Sequence, residues 1–385
     1  MEKIRLGDVC KFSDKKIAVV NLNETNYIST ENLLPNKGGI VAAAALPKTS
    51  TTRAFCAGDI LISNIRPYFK KIWYATFDGG CSTDVLVLKA AENVHSQFLY
   101  YVLSEDKFFD YATATAKGTK MPRGDKLSIM NYPVPLFPLE TQKKIAALLG
   151  ALDKKIALNK KINATLEAMA KMIYEYYFVQ FDFPDENGNP YKAGGGKMIF
   201  NEKIGREIPA GWEVKTLGEI IVEQPKSKVQ VNEVKNIEGE FPFFTSGDSI
   251  LKWTEPFVDG RNIFLNTGGN VGIKFYVGQA AYSTDTWCIG AKENLSDYLY
   301  LFLLNIRAEI GQKFFHGTGL KHLQKPLFKQ RAICIPPKNL LEKFNSEIQA
   351  SLTKISVNNR ESEKLAALRD YLLPLLMNGQ IKIKE

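Results

Sequence analysis

Residues 139–178 have the sequence LETQKKIAALLGALDKKIALNKKINATLEAMAKMIYEYYF, with a single glycine and no proline. Positions 145, 149, 152, 156, 159, 163, 166, 170, 173 and 177 step by four and three throughout, and they hold Ile, Leu, Leu, Ile, Asn, Asn, Leu, Ala, Ile and Tyr. That spacing puts them on one stripe of a helix and is typical of a coiled-coil seam. At ~1.5 Å per residue, about 40 residues predict a helix of roughly 60 Å.

A rougher copy of this seam lies near the C-terminal end of the sequence. A shift of 199 positions takes Ile145 to Phe344, and the intermediate positions become Ile348, Ser351, Ile355, Asn358, Ser362, Leu365, Arg369, Leu372 and Leu376. Neither helix can bury its stripe alone, so we expect the two helices to pack antiparallel on each other. The alternative is that each helix lies on its own globular domain.

Asn159 and Asn358 are equivalent in the two seams and lie near the middle of their helices. In an antiparallel pair the midpoints meet, so we expect the two amides to face each other. A buried amide at a seam position costs stability but fixes the register, because a shift by one heptad would leave it without a partner. The sequence therefore predicts that this pair sets the helix register.

The two halves of the chain repeat each other in order. LGDV (Leu6–Val9) recurs as LGEI (Leu217–Ile220), and GDILISN (Gly58–Asn64) as GRNIFLN (Gly260–Asn266). Three further matches follow: Ser82-Thr83-Asp84 with Ser283-Thr284-Asp285, Phe98-Leu99-Tyr100-Tyr101 with Tyr298-Leu299-Tyr300-Leu301, and Gly118-Thr119 with Gly317-Thr318. Five ordered matches indicate an internal duplication.

Before each long helix lies a region of about 130 residues whose short β-branched and aromatic runs are broken by Gly, Asn and Pro, which predicts short strands. The expected fold class is α+β: two similar mixed α/β domains separated by two long antiparallel coiled-coil helices, with a pseudo-twofold internal repeat. The predicted boundaries are 1–138 for the first domain, 139–180 for the central helix, 181–204 for a linker, 205–337 for the second domain, 338–378 for the C-terminal helix and 379–385 for a tail.

Composition limits the class of protein. The chain has 385 residues, 50 Lys and Arg against 41 Asp and Glu, and a formal net charge of +9, which is compatible with nucleic acid but does not require it. Five scattered cysteines without a CxxC pair indicate reduced thiols rather than a disulfide framework or a zinc site. No apolar run approaches the ~18 residues of a membrane helix, and the N-terminal residues do not resemble a signal peptide. We expect a cytoplasmic protein without a membrane partner.

The motifs of common enzymes are absent or incomplete. GGGK at Gly194–Lys197 lacks the Ser or Thr that a phosphate-binding loop needs after its lysine. Asp185, Glu213 and Lys215 imitate the skeleton of a metal-dependent nuclease, but the pattern is short and straddles a Gly- and Pro-rich linker. The sequence therefore predicts no catalytic residue and no metal site in this chain, with a standalone nuclease and a structural coiled-coil adaptor as the alternative functions.

Three segments resemble the specificity subunits of type I restriction–modification systems. PLETQKKIAALLGALDKKI (Pro138–Ile156) is similar to the boundary between a target recognition domain and a spacer helix in that family, and LRDYLLPLLMNGQIKI (Leu368–Ile383) to the end of the second spacer helix. NGNPYKAGGGKM (Asn187–Met198) with IGREIPAGWEVKTLGEI (Ile204–Ile220) resembles the entry to a second recognition domain. The resemblance covers essentially the whole chain.

The resemblance implies a non-catalytic, double-stranded DNA-recognition subunit. Each target recognition domain would recognise one half of a bipartite target, and the helices would set the gap between the halves. Two modification subunits would bring S-adenosylmethionine and methylate adenine, and restriction subunits that use ATP and Mg²⁺ would join through them. No cofactor is expected in this chain itself.

DNA contacts are expected from loops that carry cationic and amide side chains. Two basic clusters qualify first: Lys117, Lys120, Arg123 and Lys126, and then Lys321, Lys325, Lys329 and Arg331. The predicted DNA-binding residues of the first domain are Asn64, Arg66, Tyr68, Lys70, Lys71, Thr119, Lys120 and Arg123. Those of the second domain are Asn266, Thr267, Asn270, Lys274, Thr318, Lys321 and His322. For Ser82-Thr83-Asp84 and its copy, a DNA-facing role and a turn-capping role are both open.

Overall fold

The computed structural model describes residues 2–235 and 237–383, so the last two residues of the predicted tail lie outside the described part. The chain divides into two compact units, one comprising Met1–Ala157 with Ser362–Glu385 and the other Leu158–Glu361. Each long helix contributes residues to both units.

Before the first long helix, the described residues of the first unit form ten short strands, four short α-helices and two 3-10 turns, Val19–Asn21 and Pro67–Phe69. In chain order the strands and α-helices are β1 Lys3–Arg5, α1 Leu6–Val9, β2 Cys10–Phe12, β3 Lys16–Ala18, β4 Tyr27–Ile28, β5 Thr51–Phe55, β6 Ile60–Ser63, β7 Ile72–Tyr74, β8 Gly79–Cys81, β9 Val85–Ala90, α2 Ser96–Ser104, α3 Asp106–Ala114, α4 Lys126–Met130 and β10 Pro133–Pro135. The long helix α5 spans Leu139–Tyr174 and continues as a π-helical turn over Glu175–Val179.

The second unit has a similar order after an additional strand pair, with one further short helix and a further two-stranded pair before its last short helix. Its elements are β11 Met198–Asn201, β12 Arg206–Pro209, β13 Glu213–Thr216, α6 Leu217–Ile220, β14 Ile221–Glu223, α7 Val231–Val234, β15 Phe241–Phe244, β16 Ile250–Trp253, β17 Arg261–Asn266, β18 Ile273–Val277, β19 Ala281–Tyr282, β20 Thr286–Ala291, α8 Ser296–Asn305, α9 Arg307–Lys313, β21 Phe315–His316, β22 His322–Leu323, α10 Lys325–Lys329 and β23 Ala332–Ile335. The second long helix, α11, spans Lys338–Met377.

The sheets of the two units correspond. A four-stranded antiparallel sheet has the order β2-β9-β6-β7 in the first unit and β14-β20-β17-β18 in the second. A second sheet contains a parallel pair in both units, β4 with β8 and β15 with β19. The first and last strands of each domain pair as well, β1 with β10 and β13 with β23. The predicted α+β class and internal repeat are confirmed.

Strand pairing corrects one detail of the predicted repeat. Ser63 pairs with Val85, and Asn266 pairs with Thr286, where Val85 and Thr286 each follow a Ser-Thr-Asp tripeptide. Ser63 is therefore the structural equivalent of Asn266, whereas the sequence match had aligned Asn64 with it.

The cause is one additional residue between the glycine and the first of the equivalent paired residues. Gly58 and Gly260 both have positive φ, at 92° and 90°. One residue separates Gly58 from Ile60, whereas two separate Gly260 from Ile263, the residue that pairs as Ile60 does. Because the two segments have similar sequences, an alignment without gaps does not reveal this insertion.

The long helices run antiparallel within each unit. In the first unit, Asp153 of α5 pairs with Arg369 of α11 at 2.7 Å. In the second unit, the rings of Phe178 and Phe344 lie 4.6 Å apart, beyond the end of α5 and near the start of α11. Within the second unit, Asn159, Asn163 and Phe178 contact Glu361, Asn359 and Phe344 in that order, so rising numbers on one side face falling numbers on the other.

Each helix also packs on the globular domains, so the two packing arrangements that the sequence offered occur together. Leu149 of α5 and Leu376 of α11 share one hydrophobic core with Leu6 and Phe98. Every predicted seam position of both helices is buried or half-buried. No helix within the described ranges has both the length and the hydropathy that a transmembrane span requires.

Candidate nucleic-acid interface

Three segments that the sequence repeats converge at one place in the first domain. The loop that joins β6 to β7 begins at Asn64, whose N–H donates to the Asp84 carbonyl at 2.8 Å. The Asn64 carbonyl accepts from the N–H of Gly124 at 3.0 Å, and the N–H of Arg66 donates to the Pro122 carbonyl at 2.8 Å. Backbone hydrogen bonds therefore hold the β6–β7 loop, the Ser-Thr-Asp segment and the segment after Gly118-Thr119 together.

The second domain makes the same three bonds. The N–H of Thr267 donates to the Asp285 carbonyl at 3.1 Å, and the Thr267 carbonyl accepts from the N–H of Leu323 at 2.9 Å. The N–H of Gly269 donates to the Lys321 carbonyl at 2.9 Å. A pattern of backbone bonds that recurs in two copies with different side chains indicates a shared scaffold whose side chains vary.

Arg66 has a backbone conformation that its residue type disfavours. Its φ of 49° lies in the left-handed region, and the equivalent position in the second domain is Gly269, with φ of 79°. A non-glycine residue there costs about 1 kcal/mol or more and is a recurring feature of functional sites. Tyr68, in the same loop, is exposed.

Among the predicted DNA-binding residues of the first domain, the exposed cations lie on the segment after Gly118. Arg123 forms an ion pair with Asp84 at 3.2 Å, and its side chain remains 56% exposed. Thr119 and Lys120 are exposed at the tip of the same segment. An exposed Asp–Arg pair is worth little in stability, so its arginine can exchange a carboxylate for a phosphate at small cost.

Two predicted lysines of the first domain have partners within the fold. Lys70 pairs with Asp106 at 3.0 Å. The ammonium of Lys71 donates to the Thr30 carbonyl, and burial lowers the pKa of Lys71. Both side chains attach the β6–β7 loop to neighbouring segments, and their contact with DNA stays a prediction.

Two predicted residues of the second domain have structural partners of the same kind. Asn266 is buried, and its amide donates to the Ser246 carbonyl at 2.6 Å and to the Asn270 carbonyl at 3.1 Å. The ammonium of Lys274 donates to the Thr245 carbonyl at 2.6 Å, and burial lowers its pKa. These side chains shape the loops on which Asn270 is exposed, and their own contact with DNA stays a prediction.

A cleft of about 590 Å³ opens beside the converging segments of the second domain. Its lining includes Thr267, Asn270, Asp285, Arg307 and His322. Thr318, Lys321 and His322 are exposed on the segment that borders it. Four predicted residues of this domain, Asn266, Thr267, Asn270 and His322, therefore line one concave surface.

Three exposed apolar side chains on these segments were not predicted from the sequence. They are Phe69 in the β6–β7 loop, Met121 beside Arg123, and Leu320 beside Lys321. Reasoning from the chemistry of base recognition selects cations and amides, so it passes over apolar residues. Their position in the repeat was available: Met121 and Leu320 are 199 residues apart, as are Gly118 and Gly317.

The buried interface between the long helices contains the asparagines that the seam predicted. Asn159 and Asn358 are each 1% exposed, and the Asn159 amide lies 3.5 Å from the Asn358 carbonyl. The Asn358 amide donates to Oδ1 of Asn163 at 2.8 Å, and the Asn159 amide to Glu361 at 2.8 Å. The structure thus brings the two predicted residues together within a wider polar network, and their role in setting the register stays a prediction.

The nuclease-like residues are engaged in local structure. Oδ1 of Asp185 accepts the backbone N–H groups of Asn187 and Asn189, and Glu213 pairs with Lys215 at 3.2 Å. Over residues 2–235 and 237–383, no three His, Cys, Asp or Glu side chains form a group suited to a metal ion. The nuclease alternative has no support.

Comparison with known proteins assigns the family. The model of the type I restriction modification DNA specificity domain matches residues 1–168 and again residues 209–367. The specificity subunit of the MjaIX type I restriction enzyme from Methanocaldococcus jannaschii is 25% identical over 319 residues, which cover 76% of this chain and 71% of that subunit. The HindI specificity subunit from Haemophilus influenzae is 24% identical, and the match covers 98% of each chain. The crystal structure of the type I restriction–modification S subunit from M. genitalium shares the fold, with a TM-score of 0.64 at 16% identity over 97% of this chain and 95% of that one.

Proposed function

The chain belongs to the family of type I restriction–modification specificity subunits, and we propose that each of its two domains recognises one half of a bipartite duplex target. One observation supports this above all: the same three backbone hydrogen bonds bring equivalent loops together in both domains. Two copies of one scaffold that differ in their side chains suit the recognition of two different half-sites.

We propose that the exposed side chains on the converging segments contact DNA directly. Cations and amides supply phosphate and base-edge contacts. In the first domain these are Tyr68, Thr119, Lys120 and Arg123, together with the half-buried Arg66, and in the second Asn270, Thr318, Lys321 and His322. The remaining predicted residues would shape the loops and so position the exposed side chains that contact DNA. They are Asn64, Lys70, Lys71, Asn266, Thr267 and Lys274.

We propose that the chain itself carries out no chemistry and selects the site for partner subunits. Two modification subunits would supply S-adenosylmethionine and methylate adenine, and restriction subunits with ATP and Mg²⁺ would join through them. The helices α5 and α11 would set the number of base pairs between the half-sites and offer a docking surface to the modification subunits. A buried asparagine network supports a fixed register for this spacer, because a shift would separate its hydrogen-bond partners.

Mapping of methyladenine in the host genome, with and without this gene, tests the proposal first. A bipartite methylated sequence that disappears on deletion is expected, and unchanged methylation would contradict the function. The mapped duplex then serves in a binding titration of the complex between this chain and its modification subunits.

In that titration, Arg123→Ala and Lys321→Ala should each weaken binding and reduce the slope of log K against log salt by about 0.9. Lys203→Ala is the matched control, because Lys203 is an exposed lysine in the turn between β11 and β12. Equal affinity and slope for Arg123→Ala and Lys203→Ala would remove Arg123 from the interface.

A further inference from the structure

An exposed apolar residue lies at the same hairpin tip in both domains. Lys117 and Arg123 are bridged, as are His316 and His322, so residues 117–123 and 316–322 each form a narrow hairpin. Near each tip the same position holds an apolar residue, Met121 at 50% exposed and Leu320 at 64% exposed. Single exposed apolar side chains are common on protein surfaces, and what distinguishes these two is that they recur at equivalent positions of two protruding loops.

The backbone holds each tip in a defined shape. Gly118 and Gly317 have φ of 96° and 148°. A Cβ atom on Gly317 would lie 2.5 Å from the carbonyl oxygen of Leu320, so only glycine fits there without a shift. The conformation that presents Leu320 therefore requires glycine at position 317, and Gly118 has positive φ at the equivalent position.

Each tip is also attached to the loop that forms the candidate interface. The backbone carbonyl of Pro122, directly after Met121, accepts a hydrogen bond from the N–H of Arg66 at 2.8 Å. The backbone carbonyl of Lys321, directly after Leu320, accepts one from the N–H of Gly269 at 2.9 Å. Leu320 in addition lines the cleft beside these segments. The apolar residues thus lie within the proposed DNA surface.

Exposed cations beside each tip favour an anionic partner. Lys120 precedes Met121 and is exposed, as are Lys117 and Arg123 on the same hairpin, and Lys321 follows Leu320. An apolar tip surrounded by cations suits duplex DNA, whose phosphates attract the cations while the stacked bases accept an apolar side chain.

We propose that Met121 and Leu320 are apolar wedges, one for each half-site, that insert between neighbouring base pairs of the target. The inference rests on the proposed function and adds to it a contact that does not depend on charge. Leucine and methionine are among the side chains that proteins use to unstack a base step. The exposed apolar surface that is unfavourable in water becomes buried when the complex forms.

The test uses the complex of this chain with its modification subunits and the mapped target carrying 2-aminopurine at successive positions. Binding should raise the fluorescence at one step in each half-site. Met121→Ser should abolish the rise in one half-site only, and Leu320→Ser in the other. Each should lower the affinity about ten-fold, because one apolar side chain is no longer buried. The slope of log K against log salt should stay unchanged, since no counterion is involved.

Matched controls are Val20→Ser and Val222→Ser, which remove exposed apolar side chains from the first and second domain outside the converging segments. Both should bind as the unsubstituted chain does. If Met121→Ser leaves fluorescence and affinity unchanged while Arg123→Ala still weakens binding, the proposal that Met121 inserts between base pairs is wrong. The proposed function is then unaffected. If the unsubstituted complex shows no preference for the mapped target, the proposed function itself fails.

One further outcome would overturn the wedge. If Met121→Ser or Leu320→Ser prevents assembly with the modification subunits in size-exclusion chromatography, the tip contacts protein rather than DNA. Because both side chains are largely exposed, neither substitution should lower the thermal stability of the free chain.

Discussion

The side-chain amide of Asn358 donates a hydrogen bond to Oδ1 of Asn163 at 2.8 Å, in the buried interface between α11 and α5. Asn163 in turn donates its own amide to Oδ1 of Asn359 at 2.7 Å. Polar side chains that bond to each other in this way satisfy their hydrogen-bonding groups only in one alignment of the helices, so the network connects local sequence to the packing of the helix pair.

Asn163→Ala should lower the free energy of unfolding by about 1–3 kcal/mol, because it removes two hydrogen bonds of the buried Asn163 side chain, one accepted from the Asn358 amide and one donated to Asn359. Urea denaturation followed by circular dichroism measures the loss. Lys160→Ala, on the exposed face of α5, is the control and should change stability little. A loss no larger than that of the control would show that the Asn358 amide finds another acceptor.

Arg66→Gly should separate stability from binding. Glycine removes the left-handed strain at φ 49°, so stability should stay equal or rise by up to about 1 kcal/mol. Affinity for the mapped target should fall, because the guanidinium is lost. Thermal unfolding and a salt-dependent binding titration measure the two effects.

The matched change in the other domain is Gly269→Ala. It should destabilise the chain by about 1 kcal/mol, since φ is 79° and the surrounding space is open to a Cβ. If Arg66→Gly and Gly269→Ala changed stability in the same direction, the equivalence of the two positions would be refuted.

Asp297→Ala should lower the free energy of unfolding by about 3 kcal/mol, because it leaves the charge of Arg261 without its carboxylate partner. Asp297 is 1% exposed, and its Oδ1 accepts from Nε of Arg261 at 2.7 Å. Arg261 also donates to Thr353 of α11 at 3.0 Å, so the pair attaches β17 to the long helix. Chemical denaturation measures the loss, with Asp259→Ala, an exposed aspartate beside the same strand, as the control.

The double variant Asp297→Leu with Arg261→Met should recover much of this loss, because it leaves neither charge buried. A double variant as unstable as Asp297→Ala would show that the contact between Arg261 and Thr353 matters more than the ion pair.

Asp125 should make stability depend on pH at acid values. Its carboxylate caps α4 by accepting from the N–H of Ser128 at 3.1 Å, and it pairs with Lys117 at 3.0 Å. Hydrogen bonds from Ser128, together with the bond from Lys117, lower the pKa of Asp125 to about 2. This folded-state pKa lies below the value of about 3.9 for an unfolded aspartate. The stabilisation of the folded state by the Asp125 carboxylate is therefore complete above pH ~4 and is lost as the pH falls through about 2.

Thermal unfolding of Asp125→Ala against the unsubstituted chain measures this contribution. The unfolding temperatures of the two proteins should differ most near pH 6 and converge as the pH falls toward 2. A difference that stayed constant across this range would mean that the carboxylate charge contributes nothing.

Local sequence determined the elements whose signal is periodic or repeated. The three- and four-residue steps from Ile145 to Tyr177 predicted a helix that the structure places at Leu139–Tyr174, because one stripe of a helix must be buried for the helix to be stable. The ordered matches between the halves predicted two copies of one domain, and strand order confirms them.

Tertiary structure alone decided which loops meet and which polar side chains remain available. Asn64, Asp84 and Gly124 are distant in sequence, and backbone hydrogen bonds, which carry no side-chain signature, bring them together. Lys274 and Lys321 are the same residue type, but the ammonium of Lys274 is enclosed by carbonyl groups and Lys321 is exposed. Periodicity is a property of neighbours along the chain, whereas burial and partner choice depend on segments that meet only after folding. For that reason the sequence predicted the helices and the repeat but not which polar side chains the fold leaves exposed.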